Sequence, residues 1–319
     1  MNYSVIVPLY NEEKNVKLLN KGLIDSLSRI IKNKACEFEL IYVDDGSKDK
    51  TFDELKKLNS NNVSTLIVKH RINLSQSAAL NTGINLSNYN NLIILDGDLQ
   101  NDPEDLEKMI SEYEKGTDML IGWRRNRKDS FFTKTLPSII ANYLVRLFSK
   151  SKVHDHGCAF KIVKKDSIDE VTNWGDFHRL LAARLANNGY KVTEVEVKHN
   201  PRVYGKSNYG FSRIFKVVID LIYLNFFKSS KRQTIYFFGL FSFVSILASI
   251  VAFCIMLYIK YILGRSFILT PLPLLVVFFL IAGLIFLFIG ILAQLIINQQ
   301  MPKGNDLSFI KEKIHFKLK

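Results

Sequence analysis

The sequence predicts an α/β protein built on a mostly parallel, Rossmann-like sheet and followed by a two-helix transmembrane hairpin. Two observations predict it. Short apolar runs alternate with amphipathic ones through the first 125 residues, and two long stretches, 234–259 and 266–300, contain no charged residue. A βαβα order argues for a parallel sheet covered on both faces. Each uncharged stretch exceeds the ~20 apolar residues that carry a helix across a bilayer core. Two such stretches in tandem are read as a hairpin in preference to a pair of buried core helices.

The elements follow in order. Tyr3–Leu9 reads as a buried strand, and Val16, Leu19, Leu23, Leu27 and Ile30 then recur at helical spacing. Phe38–Val43 is a second strand that ends at Asp44-Asp45-Gly46-Ser47, and a short helix starts at Thr51. Val63–Val68 reads as strand, Ser75–Leu86 as helix and Leu92–Leu95 as strand. Asp102–Lys115 is a helix with Pro103 in its first turn, and Met119–Trp123 is a fifth strand. Beyond this point regularity falls: Leu136–Phe148 and Phe177–Asn187 look helical, and Lys191–Lys198 alternates as a strand. Phe211–Phe227 is apolar but keeps Arg213, Lys216 and Asp220, which suits a helix lying in the membrane interface or one packed in the core.

These readings divide the chain into a large α/β domain over 1–210, a juxtamembrane amphipathic segment over 211–232, and spans over about 234–259 and 267–297 within 233–300. A basic tail, 301–319, completes it. Formal charge follows the same division. Of the 43 basic and 30 acidic side chains, residues 228–319 hold 10 and 2, whereas residues 1–100 are balanced at 12 and 12. Basic excess beside apolar spans fits anionic head groups, and no nucleic-acid module accompanies it. Lys260 and Arg265 lie between the spans, against Lys228, Lys231 and Arg232 before them and Lys303, Lys311 and Lys313 after them. Positive-inside counting therefore puts both ends in the cytoplasm. The N-terminus runs straight into a strand, with no signal-peptide pattern, and Cys36, Cys158 and Cys254 lack metal-site or disulfide spacing. The expectation is a bacterial inner-membrane protein with its large domain in the cytoplasm. A homo-oligomer is left open.

Ligands of open parallel sheets bind at the carboxyl ends of the strands. Here those ends carry Pro8-Leu9-Tyr10-Asn11-Glu12-Glu13, Asp44-Asp45-Gly46-Ser47 and Asp96-Gly97-Asp98. Three carboxylate-rich loops would converge on one edge. A dinucleotide fingerprint is absent, as is a phosphate-cradling Gly-Lys-Ser/Thr loop after the first strand. Asp96 and Asp98, one residue apart, can share a hard cation that also binds a diphosphate. Mg²⁺ commonly takes one or two protein carboxylates, with waters and substrate phosphates filling its shell, and Mn²⁺ suits the same oxygens. His154-x-His156 has no third ligand by spacing and is read as an interface pair.

The strand-end motifs and three later blocks together resemble glycosyltransferase family 2, in its polyprenyl-phosphate branch. The blocks are Val5–Glu13, Val43–Thr51, Leu95–Glu104, Gly122–Ser130, Asp155–Cys158 and His199–Tyr209, in family order over most of residues 3–213. The C-terminal hairpin matches that branch as well. The resemblance implies a GT-A fold and an inverting transfer from a nucleotide sugar to a lipid phosphate such as undecaprenyl phosphate. It implies that Pro8, Tyr10, Glu12 and Asp44 line the base and ribose, with Asp96 and Arg124 also on the nucleotide sugar. It places Asp96, Asp98 and Gln100 at the metal and its phosphates, with Asp98 in the catalytic set. Arg124, Arg127, Arg202 and Lys206 match positions that gather phosphate charge, a task suited to guanidinium forks and ammonium groups. Arg179 follows from the acidic-x-His-Arg stretch Asp176–Arg179, and Asp155 matches a position proposed as catalytic in the family, the alternative roles being to orient the sugar or buttress a loop.

A phosphate acceptor is already anionic near neutral pH and needs little help from a base. Positioning and charge neutralisation are therefore expected to dominate. A UDP-hexose donor is favoured over a GDP-linked one. The competing readings are a family 2 enzyme with another lipid or glycan acceptor, and a membrane-tethered nucleotide-sugar-binding scaffold. Processive synthesis is disfavoured, because Trp123 and Trp174 are the only tryptophans and neither follows an Arg.

Overall fold

The computed structural model describes residues 1–58, 63–125, 136–169, 177–201, 234–264, 266, 270–299 and 310–316. The expectations for Arg127, Arg202, Lys206, the segment 211–232 and most of the tail fall outside them. Two units emerge: Met1–Ile222 together with Asn305–Lys319, and Tyr223–Gly304.

The first unit is a single sheet with helices on its faces. Its strands are β1 (Tyr3–Leu9), β2 (Phe38–Asp44), β3 (Ser64–His70), β4 (Asn91–Ile94), β5 (Met119–Trp123), β6 (Lys161–Lys164), β7 (Val192–Glu196) and β8 (Ile310–Phe316). They lie in the order β7-β5-β6-β4-β1-β2-β3-β8. Strands β4, β1, β2 and β3 run parallel, in register from Tyr3 opposite Phe38 to Leu9 opposite Asp44. Every residue of β1 and β2 is buried, as a strand covered on both faces requires. Antiparallel β6 is wedged between β4 and β5, and β7 runs parallel to β5.

Helix α1 (Val16–Asn33) buries Val16, Leu19, Leu23, Leu27 and Ile30 along one stripe, the spacing that the sequence predicts. Helix α2 (Thr51–Lys56) is short, and α3 (Gln76–Leu86) follows β3. The Asp102–Lys115 segment divides into a 3-10 turn, Pro103–Asp105, and α4 (Leu106–Tyr113), with the Asp102 carboxylate accepting from the Glu104 N–H at 3.0 Å. Helices α5 (Leu136–Phe148), α6 (Lys165–Asp169) and α7 (Phe177–Asn187) complete the unit.

Strands β6 and β8 have no counterpart in the sequence reading. Four residues give β6 too little pattern to register, and β8 reads as a charged tail. In the structure β8 pairs antiparallel with β3, from Thr65 opposite Phe316 to His70 opposite Ile310. It covers an edge whose N–H and C=O groups would otherwise need another partner.

The second unit holds helices α8 (Thr234–Tyr261) and α9 (Leu272–Gln299). Their apolar stretches Phe237–Tyr261 and Leu272–Ala293 are long enough to cross a membrane. Helix α9 begins later than residue 267, directly after Pro271 and with Pro273 in its first turn, where a missing N–H costs nothing. Small residues bring the helices together: a Cβ on Gly283 would stand 2.7 Å from Ile246 Cγ1 and 3.2 Å from the Ser242 carbonyl oxygen. The Ser249 hydroxyl donates across the pair to the Val276 carbonyl at 2.9 Å.

Candidate active site

The carboxyl ends of β1, β2 and β4 bring the three carboxylate loops to one edge of the sheet. The first two loops are stitched together. Asn11, in the left-handed region at φ 55°, donates its N–H to Ser47 Oγ at 2.9 Å and accepts from the Lys48 N–H at 2.9 Å. The Glu12 N–H donates to Thr51 Oγ1 at 2.8 Å, and Asn15 donates its side-chain amide to the Glu12 carboxylate. Pro8 is buried within β1, and Tyr10 is half-buried just beyond it. Asp44 is fully buried; Oδ1 accepts from the Ser47 N–H at 3.0 Å, and Oδ2 has no hydrogen bond and faces Lys69 Nζ at 3.7 Å.

Asp45, which the sequence reading quotes in its motif but gives no role, organises the next loop. Its carboxylate accepts from the N–H groups of Leu74 and Ser75 at 3.0 and 2.9 Å and from Asn73 Nδ2 at 2.9 Å. It also meets His70 Nδ1 at 2.8 Å, and His70 Nε2 lies 3.0 Å from Thr82 Oγ1. Gly46 sits beneath this loop at φ 69°, and a Cβ there would stand 2.4 Å from the Ile72 carbonyl carbon, so only glycine fits. The loop delivers Gln76 to the start of α3, where Nε2 donates to Asp96 Oδ1 at 2.6 Å.

Asp98 is buried and accepts from the Gln100 N–H at 3.1 Å through Oδ1. Between them Leu99 takes φ 62°, an uncommon conformation for a branched residue and a strain that local packing must hold. At Gly97 a Cβ would lie 2.2 Å from Leu9 Cδ2, so an alanine requires the Leu9 side chain to turn. The Gln100 carbonyl accepts from the Asn200 N–H at 2.9 Å, and Asn101 forms a β-bridge with His199. The start of the His199–Tyr209 block therefore sits against the Asp-Gly-Asp loop.

On the far side of β4, Arg124 grips Asp155 with two bonds, Nε to Oδ2 at 2.7 Å and an Nη to Oδ1 at 3.0 Å. The resemblance assigns Arg124 to the nucleotide sugar; the structure places it on this carboxylate. Lys161 of β6 is fully buried and donates its ammonium to the His178 carbonyl in the first turn of α7. Desolvation pushes its pKa down to about 8, opposed by the Asp96 and Asp155 carboxylates. His178 Nδ1 lies 2.8 Å from Ser77 Oγ. Arg179 occupies the next position of α7, and its side chain lies outside the described residues. Gln76, Asp96, Lys161 and His178 line a small cleft with Leu80, Ile94, Ala159 and Leu181.

The two histidines of His154-x-His156 part company. His154 stacks on Trp123 at 4.7 Å and pairs with Glu194, whereas His156 is buried with neither ring nitrogen hydrogen-bonded. Burial, with Lys161 next, holds its pKa down at about 4, so it is neutral.

Among the described residues no three His, Cys, Asp or Glu side chains cluster as a complete metal cage. A pair of oxygen donors is nonetheless what Mg²⁺ or Mn²⁺ takes from protein when a diphosphate supplies the remainder. Asp96 and Asp98 fit that donor set. Gln76 and Lys161 carry no motif signal of their own, the one hint being a lone lysine inside the apolar Phe160–Val163 run, whereas Asp45 lies in the Asp44–Ser47 motif without a role assigned to it.

The family model for "Glycosyl transferase family 2" matches residues 4–172. Dodecaprenyl-phosphate galacturonate synthase of Rhizobium johnstonii is 35% identical over 303 residues, covering 93% of this chain and 88% of that protein. Undecaprenyl-phosphate 4-deoxy-4-formamido-L-arabinose transferase of Proteus mirabilis is 32% identical over 222 residues, 69% of this chain and 66% of that one. Among solved structures, mannosyl-3-phosphoglycerate synthase from Rubrobacter xylanophilus shares the fold at a TM-score of 0.53 and 11% identity, over 71% of this chain and 74% of that one. With the motif row, the sheet order and a family match over more than half of its length in agreement, the chain belongs to glycosyltransferase family 2.

Proposed function

We propose that the protein transfers a sugar from a nucleotide sugar to a polyprenyl phosphate at a membrane surface. The observation that carries this reading is one chain that joins a row of strand-end carboxylates to two apolar helices long enough to cross a bilayer. The Rhizobium relative, named for a dodecaprenyl-phosphate product, aligns through the hairpin as well as the sheet. Helix α5 adds support, because it exposes Ile139, Ile140, Tyr143 and Leu147 and buries Ser138, Ala141 and Val145. A helix with such a face suits a bilayer surface.

In the reaction the bond between the anomeric carbon and the diphosphate oxygen breaks, and a lipid-phosphate oxygen bonds to that carbon from the opposite face. The nucleoside diphosphate leaves, and configuration inverts. Pro8, Tyr10, Glu12 and Asp44 bind the nucleoside, with Lys69 moving aside from Asp44. Asp96 and Asp98, beside Gln100, would hold Mg²⁺ or Mn²⁺, which would supply charge neutralisation for the leaving diphosphate. Arg127, Arg179, Arg202 and Lys206 draw the lipid phosphate in. Asp155, engaged by Arg124 through both oxygens, is an orienting group and not a base. The acceptor arrives deprotonated, so no proton has to leave in the step.

A UDP-hexose or UDP-hexuronate is the favoured donor, and the catalytic unit and both chain ends face the cytoplasm of a bacterial inner membrane. The return of β8 to the catalytic sheet supports both ends lying on one side. Purified full-length protein, given undecaprenyl phosphate, Mg²⁺ or Mn²⁺ and a panel of UDP- and GDP-sugars, is expected to form a glycolipid with one of them. Asp98→Asn is expected to lower turnover by at least about 1000-fold without unfolding the protein. Full activity in that variant would sink the metal role, and binding of a nucleotide sugar without turnover would favour the scaffold reading. Labelling of a single cysteine in the loop 260–273 is expected only from the periplasmic side; cytoplasmic labelling alone would overturn the topology.

A further inference from the structure

We infer that Lys161 is a positioning residue of the transfer site, its buried ammonium balancing the charge of the Asp96 and Asp155 carboxylates while it donates to the first turn of α7. The inference rests on the transfer reading above and names a component that reading does not use.

Three observations converge. Lys161 is 3% exposed, and a lysine is almost never buried this completely without compensating charge. The ammonium donates to the His178 carbonyl, so it reaches from the middle of the sheet to the helix that carries Arg179. It shares a cleft with Asp96, whose Oδ1 is held from the other side by Gln76, and it feels Asp155, which Arg124 holds. Among the described residues, and leaving aside the cations assigned to the lipid phosphate, the neighbourhood contains three carboxylates, Asp96, Asp98 and Asp155, against two cations, Arg124 and Lys161. One net negative charge is left, enough to attract a divalent cation and small enough to let a diphosphate follow. Removing Lys161 doubles that negative charge. A cation is then held more tightly, while the diphosphate is repelled as its charge develops, and the first turn of α7 loses the ammonium that donates to it.

Gln is the discriminating replacement, because it keeps a polar N–H donor at the position while the charge is lost. In full-length protein in detergent or lipid, Lys161→Gln is expected to lower kcat by about 100-fold or more with donor KM changed less than about threefold. Mn²⁺ titrated into the substrate-free protein and followed by its electron paramagnetic resonance signal is expected to bind at least about threefold more tightly than in wild type. Lys161→Arg is expected to regain at least about a tenth of wild-type turnover. A packing role alone predicts a lower melting temperature with turnover per folded molecule and Mn²⁺ affinity unchanged, and that result overturns the inference. Should Lys161→Gln fail to fold, Asp96→Asn placed in the same chain decides: recovery of folded protein supports charge balance, and continued failure overturns it. Should wild type consume no nucleotide sugar or bind no Mn²⁺, the transfer or metal reading fails instead. The melting-temperature cycle of Lys161→Gln and Asp96→Asn then carries the test, with coupling supporting the inference and additivity overturning it.

Discussion

Asp45 and Asp155 are both buried carboxylates at the functional edge, yet different partners hold them. Asp45, in the β1–β4 half, is surrounded by backbone N–H groups, an amide and His70. Asp155, in the β5–β7 half, is gripped by a guanidinium and lies near a buried ammonium. Backbone donors are fixed once the loop folds, so the first arrangement is built before any ligand arrives. Ion pairs depend on the total charge present, so the second arrangement responds to what binds. The contrast matches the division of labour in the proposed reaction: one half shapes a pocket for a nucleoside and carries Asp96 and Asp98, and the other sets the charge beside them.

Removing Asp45 should break the prebuilt half most severely. Asp45→Ala strands two loop N–H groups, Asn73 and His70 together, and such multiple losses in a buried network cost about 4 kcal/mol. The loop then no longer fixes Gln76 on Asp96, so donor KM should rise as well. Denaturant unfolding measures the first effect and steady-state kinetics the second. A loss under about 1 kcal/mol would mean that water replaces the carboxylate and that the loop is not prebuilt.

In the charged half, Arg124→Met leaves Asp155 without its two-point partner. Breaking a buried pair on one side costs about 3 kcal/mol, and the guanidinium side chain is only 11% exposed, so little of this is screened away. If Asp155 orients ligands, kcat should fall too, and Asp155→Asn in the Arg124→Met background should restore stability without restoring turnover. Recovery of both would reduce the pair to scaffolding.

The contrast also bears on what the sequence discloses. Strands β1 and β5 and helices α5 and α7 have the bounds that apolar runs and helical spacing predict, because burial on one face leaves a periodic trace. The Asp-Gly-Asp loop and its two companion loops are legible for a related reason: parallel strands must end on one edge, and polar residues there have nothing to pack against. Arg124 on Asp155, Gln76 on Asp96 and Lys161 on the His178 carbonyl join residues 17 to 31 positions apart through folded space, and no local pattern records such pairings. Strand β8 is hidden differently. Its lysines read as a solvated tail, and the edge of β3 gives the segment a place to pair.

His156 sharpens the comparison through pH. Burial holds the folded imidazole at about 4 against 6.5 for the free side chain, with Lys161 adding to the shift and Asp155 opposing it. Between these values the unfolded chain binds a proton that the folded chain does not, so stability is intact above about 6.5 and is lost as pH falls towards 4. The change from pH 7 to pH 5 amounts to about 2 kcal/mol. His156→Phe removes the titration together with two unpaired ring nitrogens, so its melting temperature should vary less with pH across that window. An unchanged slope would assign the acid sensitivity to other groups in the charged half.

Ser75 offers the smallest and most pointed change in the prebuilt half. Its φ of 120° and ψ of 159° lie in a region that glycine enters without penalty and a side chain occupies only under strain. What holds it there is the Asp45 carboxylate, which accepts its N–H at 2.9 Å. Its hydroxyl returns little, because the cap it makes to the Ala78 N–H is long at 3.5 Å. Ser75→Gly relieves the Cβ strain but gives the unfolded chain extra freedom, and the balance should be a gain of about 1 kcal/mol. In the Asp45→Ala background the gain should shrink, since without the carboxylate the loop can relax and the strain is no longer imposed. Equal gains in both backgrounds would show that the strain belongs to the turn itself, and that Asp45 merely tolerates a conformation it does not create.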